Sequence, residues 1–141
     1  TNGKVWTDTN GKVVQAHSSG YLYKDGLWYM VGEDRTDPWR PDVNLYSSPD
    51  LTHWTFLAKI IENGVTVKEL GRGRFIERAK LLYCAETGQY VVWCHWEGQG
   101  YRASEAAVFV SDHIDGPSLH AAQGRTSPRH QEPRLQCLRG R

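Results

Sequence analysis

The chain has 141 residues, which is enough for one domain with a hydrophobic core, and its formal net charge is +1. This near balance gives no indication of a nucleic-acid or anionic-membrane partner, and no apolar run reaches the ~20 residues of a membrane helix. The balance hides a division, because residues 118–141 hold five arginines and one acid, which leaves 12 basic and 15 acidic residues before them.

The first predicted elements are two strands, residues 20–23 and 27–33, which the turn residues Asp25-Gly26 join into a hairpin. A third strand is predicted at residues 42–47 and a fourth at 54–60, with Ser-Pro-Asp-Leu as the turn between them. The glycine-rich, aperiodic residues 63–73 are expected to form a loop, and no helix is predicted.

The same pattern then recurs. A strand-like segment covers residues 74–83, and a second hairpin is predicted with strands at 80–84 and 89–96, followed by a third strand at 106–112. The two hairpin turns are offset by 62 residues, and the two third strands by 63. A four-stranded unit that recurs at such a spacing is typical of β-propeller blades, with a single β-sandwich as the alternative.

The predicted fold is therefore all-β, with one blade at about residues 13–61 and an incomplete, three-stranded blade at about 74–117. Propellers typically need at least four blades, so we expect an N-terminal fragment of one and a half to two blades. Residues 118–141 have no aromatic residue and are rich in Arg, Gln, Ser and Pro. We expect them to be a basic, disordered tail, with a nucleic-acid-binding arm as the less favoured alternative.

The cysteine and histidine positions indicate no metal or cofactor. No zinc-type spacing and no phosphate-binding glycine loop is present. Cys84 and Cys94 flank the second hairpin turn, but they are offset by on the order of 10 Å along the strands, beyond disulfide reach. All three cysteines are therefore predicted to be free thiols.

Acidic and aromatic residues gather near the predicted strand ends. Glu33 ends a strand, Glu77 lies on the first strand of the second unit, and Tyr101 follows the strand that ends at His95–Glu97. The innermost strands of a propeller line its central funnel, where carboxylates can accept hydrogen bonds from sugar hydroxyls while aromatic rings cover C–H faces. Glycosidases need a pair of carboxylates. The alternative is that Glu77 only forms an ion pair with Arg78 or Lys80.

The order and spacing of several motifs resemble the N-terminal part of the family 43 glycoside hydrolases, over about residues 5–117. The nearest group is the exo-β-1,3-galactanases, also called galactan 1,3-β-galactosidases. The motifs that carry the resemblance are residues 6–17, 20–23, 27–33, 45–54, 76–80 and 108–112.

The resemblance implies a five-bladed propeller that hydrolyses with inversion and releases a terminal sugar, expected to be galactose. Glu77 falls on the second-blade catalytic acid that orients the sugar and tunes the general acid. Glu33 and Tyr101 fall on positions that contact the terminal galactose. In the wider family an Asp on the first blade acts as the base, and the galactanase group lacks this Asp. This chain agrees with the galactanase group, because His17 lines the funnel there instead.

Some features depart from the family pattern. The His-Gly-Gly-Gly run of the family is His17-Ser18-Ser19-Gly20 here, and two serines would strain the turn if those glycines adopt positive φ. Ala79 replaces the proline of the Glu-Arg-Pro-Lys motif. The general acid is expected on a third blade, outside this chain, so we expect no turnover from the chain alone.

A non-catalytic carbohydrate-binding propeller is the alternative function. The expected partner is a poly- or oligosaccharide, and the intact protein is expected to be a secreted or periplasmic monomer whose signal is not in this chain.

Overall fold

The computed structural model describes residues 3–66 and 73–115 with their side chains, and residues 120–126 as a strand. These residues form two antiparallel sheets of four strands, each in sequence order, and the described part of the chain contains no helix. The first sheet consists of β1 (His17–Lys24), β2 (Leu27–Asp34), β3 (Asp42–Ser48) and β4 (Thr55–Ile61). The second consists of β5 (Arg74–Cys84), β6 (Gln89–Gly98), β7 (Glu105–Ser111) and β8 (His120–Thr126).

The turn residues explain where the hairpins form. Asp25 and Gly26, between β1 and β2, have φ of +51° and +81°, the left-handed pair that a two-residue hairpin turn requires. Gly88 has φ of +71° in the turn between β5 and β6. The seven strands and both hairpins that the sequence predicts are confirmed within residues 17–111.

The core lies between the two sheets, where β5 packs against β1 and β2. Its fully buried side chains include Val31, Leu45, Ile76 and Leu81. The backbones of β1 and β5 approach so closely that a Cβ on Gly20 would lie 2.6 Å from the carbonyl oxygen of Ala79. The first strand of each sheet therefore lies beside the first strand of the other, as adjacent propeller blades require.

Two predictions made from the sequence were wrong. The second sheet has a fourth strand, β8, whose residues pair with β7 although they were expected to belong to a disordered tail. The backbone of β7 would otherwise leave a row of unpaired edge groups, and main-chain pairing needs no aromatic side chain. Cys84 is disulfide-bonded, whereas Cys94 is free and buried as expected. Cys137 and the rest of residues 127–141 lie outside the described residues.

Candidate functional site

Each sheet places one histidine and one glutamate opposite each other on its first two strands. His17 of β1 pairs with Glu33 of β2, and Glu77 of β5 pairs with His95 of β6. The order of the two residue types is reversed between the sheets. Because β5 packs against β1 and β2, the two pairs lie at one end of the interface between the sheets.

A β-bulge follows each pair on the first strand of its sheet. The pairing shifts after His17 and after Glu77, and the next residues, Ser18 and Arg78, have φ of +51° and +54°. Both values lie in the left-handed region that favours glycine, and bulges of this kind redirect neighbouring groups. The strain expected from a serine at this position is therefore present at Ser18.

Glu33 is a fully buried carboxylate whose two oxygens are both satisfied. Its Oε2 accepts hydrogen bonds from the Nε of Arg35 at 2.7 Å and lies 2.6 Å from Nη2 of the same side chain. Its Oε1 accepts a hydrogen bond of 2.9 Å from the backbone N–H of Arg78, which the bulge of β5 turns toward it. Because one donor comes from each sheet, Glu33 ties the two sheets together at this end.

Glu77 lies beside this group, with its side chain 14% exposed. Its Oε1 accepts a hydrogen bond from the hydroxyl of Tyr101 and lies 3.6 Å from Nη2 of Arg35. The alternative that Glu77 only forms an ion pair with Arg78 or Lys80 was therefore wrong. Lys80 instead donates to the carbonyl oxygens of Ser18 and Ser19, at 3.1 and 3.0 Å.

Arg35 bridges the two carboxylates, one from each sheet. Its guanidinium is held by Glu33, and the hydrogen bond to that carboxylate is the main cause that raises the pKa of Arg35, with the charge of Glu77 adding to it. The side chain of Arg35 remains 45% exposed. The cation therefore faces solvent on one side and fixes the separation of two acids on the other.

Tyr101 presents an aromatic ring at the open side of the site. It is 55% exposed, and its ring stacks on Phe75 with centroids 5.7 Å apart and planes inclined by 18°. The hydrogen bond to Glu77 is the largest cause that raises the pKa of Tyr101, to about 12. An exposed ring beside hydrogen-bonding carboxylates matches the amphipathic character of a sugar.

The four predicted site residues are thus placed unequally. Glu33, Glu77 and Tyr101 are joined through Arg35 and a shared hydrogen bond, whereas His17 is exposed and is near them only through its pairing with Glu33. Sequence reasoning did not assign roles to Arg35 or Phe75. Phe75 lies two residues before Glu77 on the same side of β5, and Arg35 lies two residues after Glu33, just past the end of β2; this spacing was the available signal. No cluster of three potential metal ligands occurs among the described residues.

Comparisons with solved structures match the fold of this chain to that of sugar-cleaving enzymes. An exo-β-1,3-galactanase from Clostridium thermocellum shares 38% identity over 82% of this chain and 25% of its own, with a TM-score of 0.76. A Phanerochaete chrysosporium exo-β-1,3-galactanase in complex with galactose shares 28% identity over 82% of this chain and 27% of its own, with a TM-score of 0.75. The family 43 β-1,3-galactosidase BT0265 shares 35% identity over 84% of this chain and 26% of its own, with a TM-score of 0.74.

The chain thus spans about a quarter of the length of these structures. The match confirms the predicted fold class, since these enzymes are five-bladed propellers that the chain covers over part of their N-terminal region. No protein-family model and no curated protein sequence matches the chain.

Proposed function

Because the chain belongs to glycoside hydrolase family 43, we propose that Glu77 and Tyr101 hold the terminal galactose of a β-1,3-galactan while the buried Glu33 fixes Arg35 beside them, and that the intact enzyme releases this sugar with inversion. The observation that carries the proposal is the bridge from Glu33 through Arg35 to Glu77, with the exposed ring of Tyr101 beside it. This group offers fixed acceptors, a cation and an aromatic face on one open surface. His17 lines the same funnel.

The assignment of roles follows from burial and from the hydrogen bonds. Glu33 is fully buried and accepts from three donors, so it serves to fix Arg35 rather than to exchange a proton with water. Glu77 reaches solvent, accepts from Tyr101 and is close to Arg35, so it is suited to orient a sugar hydroxyl and to tune a neighbouring acid. A general acid with a free carboxyl group is then required from elsewhere in the intact enzyme.

We therefore expect the 141-residue chain to bind galactose and not to hydrolyse β-1,3-galactan. Galactose binding is measured by NMR titration, with glucose as the control sugar. Glu77→Ala should weaken binding about tenfold, since a hydrogen bond to a charged group contributes about 1.5 kcal/mol or more. Glu77→Gln should retain most of the affinity because its amide oxygen can still accept.

Glu86→Gln, in the exposed turn at the far end of the same hairpin, is the matched control and should bind as the wild type does. Equal affinity in Glu77→Ala and Glu86→Gln would overturn the proposed site. Galactose released from the polymer by the wild-type chain would overturn the expectation that the general acid lies elsewhere.

In the intact enzyme, lost hydrolysis with retained binding in Glu77→Gln distinguishes a hydrolase from a non-catalytic carbohydrate-binding propeller. Galactans are too large to enter a cell, so we place the intact protein in a secreted or periplasmic location, as a monomer. Within the described residues, no helix has the length and apolarity to cross a membrane.

A further inference from the structure

The loop that carries Tyr101 is fastened to a buried carboxylate at the end of β6. The side chain of Glu97 is almost completely buried. Its Oε2 accepts a hydrogen bond of 3.0 Å from the backbone N–H of Ala103, and its Oε1 one of 2.7 Å from Ser104. The Nε2 atom of His95 lies 3.2 Å from the same Oε1. Glu97 therefore spans the base of the loop, with Tyr101 at its outer part.

The loop needs such support because its backbone is unfavourable. Tyr101 and Ser104 have φ of +50° and +47°, in the left-handed region that residues with a Cβ seldom adopt. A backbone bond of 3.1 Å, from the N–H of Tyr101 to the carbonyl of Gly98, closes the turn. Conformations of this type persist only where surrounding contacts impose them, and charge-assisted hydrogen bonds are among the strongest such contacts.

We propose that Glu97 is a positioning residue, which holds residues 98–104 in the conformation that brings the hydroxyl of Tyr101 to Glu77. Glu97 itself does not touch Glu77 or the proposed sugar. The significance of the contact rests on the proposed function, but the geometry of the loop does not. Burial opposes the charge of Glu97, and the backbone N–H groups of Ser104, Ala103 and Gly98 outweigh it and lower the pKa of this carboxyl.

The test follows the environment of Tyr101 directly, in the 141-residue chain with carbon-labelled tyrosine rings. The signal of Tyr101 is assigned by its absence in Tyr101→Phe, and its pKa is read from a pH titration by NMR. In the wild type the pKa of Tyr101 is expected at about 12. Glu97→Gln keeps the shape of the side chain but can accept only one of the two backbone hydrogen bonds, so the loop is released. The pKa should then fall toward the ordinary tyrosine value of about 10.

Two controls separate this effect from general loss of structure. Glu86→Gln removes an exposed carboxylate at the other end of the hairpin and should leave the titration of Tyr101 unchanged. Tyr46 is buried in the first sheet, and the burial that raises its pKa should persist in Glu97→Gln if the fold is intact. If Glu97→Gln does not fold, Ala103→Pro removes one donor and leaves the carboxylate in place.

A folded Glu97→Gln, or Ala103→Pro in its place, in which Tyr101 titrates as in the wild type would overturn the positioning role. A lowered pKa of Tyr101 together with galactose binding as weak as that of Tyr101→Phe would support both the positioning role of Glu97 and its importance for sugar binding. A lowered pKa in the variant, with no galactose binding by the wild type, would support the positioning role and overturn the proposed sugar site instead.

Discussion

The pair formed by Glu33 and Arg35 predicts an asymmetry between two substitutions that each remove one charge. The carboxylate of Glu33 is 0% exposed, whereas the side chain of Arg35 is 45% exposed. When Glu33 is replaced by Gln, the guanidinium can turn to water and stay close to Glu77. When Arg35 is replaced by Gln, the carboxylate stays buried and keeps only the backbone N–H of Arg78 as a surely placed donor. Arg35→Gln should therefore destabilise the chain more than Glu33→Gln.

The magnitudes follow from burial. Removal of one partner of a buried ion pair destabilises a protein by about 3–5 kcal/mol, because an uncompensated charge remains. The retained hydrogen bond from Arg78 places Arg35→Gln near the lower end, at about 3 kcal/mol. Glu33→Gln leaves an amide nitrogen against one donor, which costs about 1–2 kcal/mol. The double variant joins two neutral amides and should be less destabilised than Arg35→Gln alone.

The free energy of unfolding is measured by urea titration followed through tryptophan fluorescence. Arg40→Gln removes an exposed arginine from the connection between β2 and β3 and serves as the control. Its expected change in unfolding free energy is within about 0.5 kcal/mol. Two results would refute the reasoning. One is an Arg35→Gln variant as stable as Arg40→Gln. The other is a double variant less stable than Arg35→Gln, which would mean that the buried carboxylate is stabilised without its cation.

Two further predictions concern the strand contact and the tyrosine. Gly20→Ala places a Cβ 2.6 Å from the carbonyl oxygen of Ala79, so β1 and β5 must separate. The free energy of unfolding, measured by urea titration, should fall by about 1–3 kcal/mol. Stability equal to that of the wild type would contradict the observed approach of the two strands. The raised folded-state pKa of Tyr101, about 12 against an ordinary 10, stabilises the fold below pH 10, and this stabilisation is lost as the pH rises toward 12. Unfolding free energies measured across that range should thus converge for the wild type and Tyr101→Phe, and parallel curves would contradict this.

The strands could be predicted because local patterns in the sequence determine them. Alternating apolar residues and an Asp-Gly turn with two left-handed residues determine the first hairpin without help from distant contacts. The recurrence of the same pattern about 62 residues later then predicts the second sheet. The eighth strand could not be found in this way, because β8 is held by the free edge of β7 rather than by its own side-chain pattern.

The candidate site was predictable in its residue types and not in its connections. Glu33, Glu77 and Tyr101 stand out because polar groups at strand ends in a propeller face the funnel. Arg35 does not stand out, since a cation near two acids in sequence is ordinary on a surface. Only the packing of β5 on β2 brings Glu77 within 3.6 Å of a guanidinium that Glu33 already holds. The hydrogen bond from the N–H of Arg78 to Glu33 lies at a β-bulge, which no pattern of alternation indicates.

The polar groups of the site support one another in a fixed order. Glu33, buried and satisfied, fixes Arg35; Arg35 lies against Glu77; and Glu77 accepts from Tyr101. Glu97 supports the same tyrosine from the other side, through the backbone of its loop. A neutral sugar provides little electrostatic attraction, so its recognition depends on hydrogen-bonding groups that are already in place before it binds. Under the proposed function, the buried acids Glu33 and Glu97 are therefore the supports that keep Glu77 and Tyr101 in one arrangement.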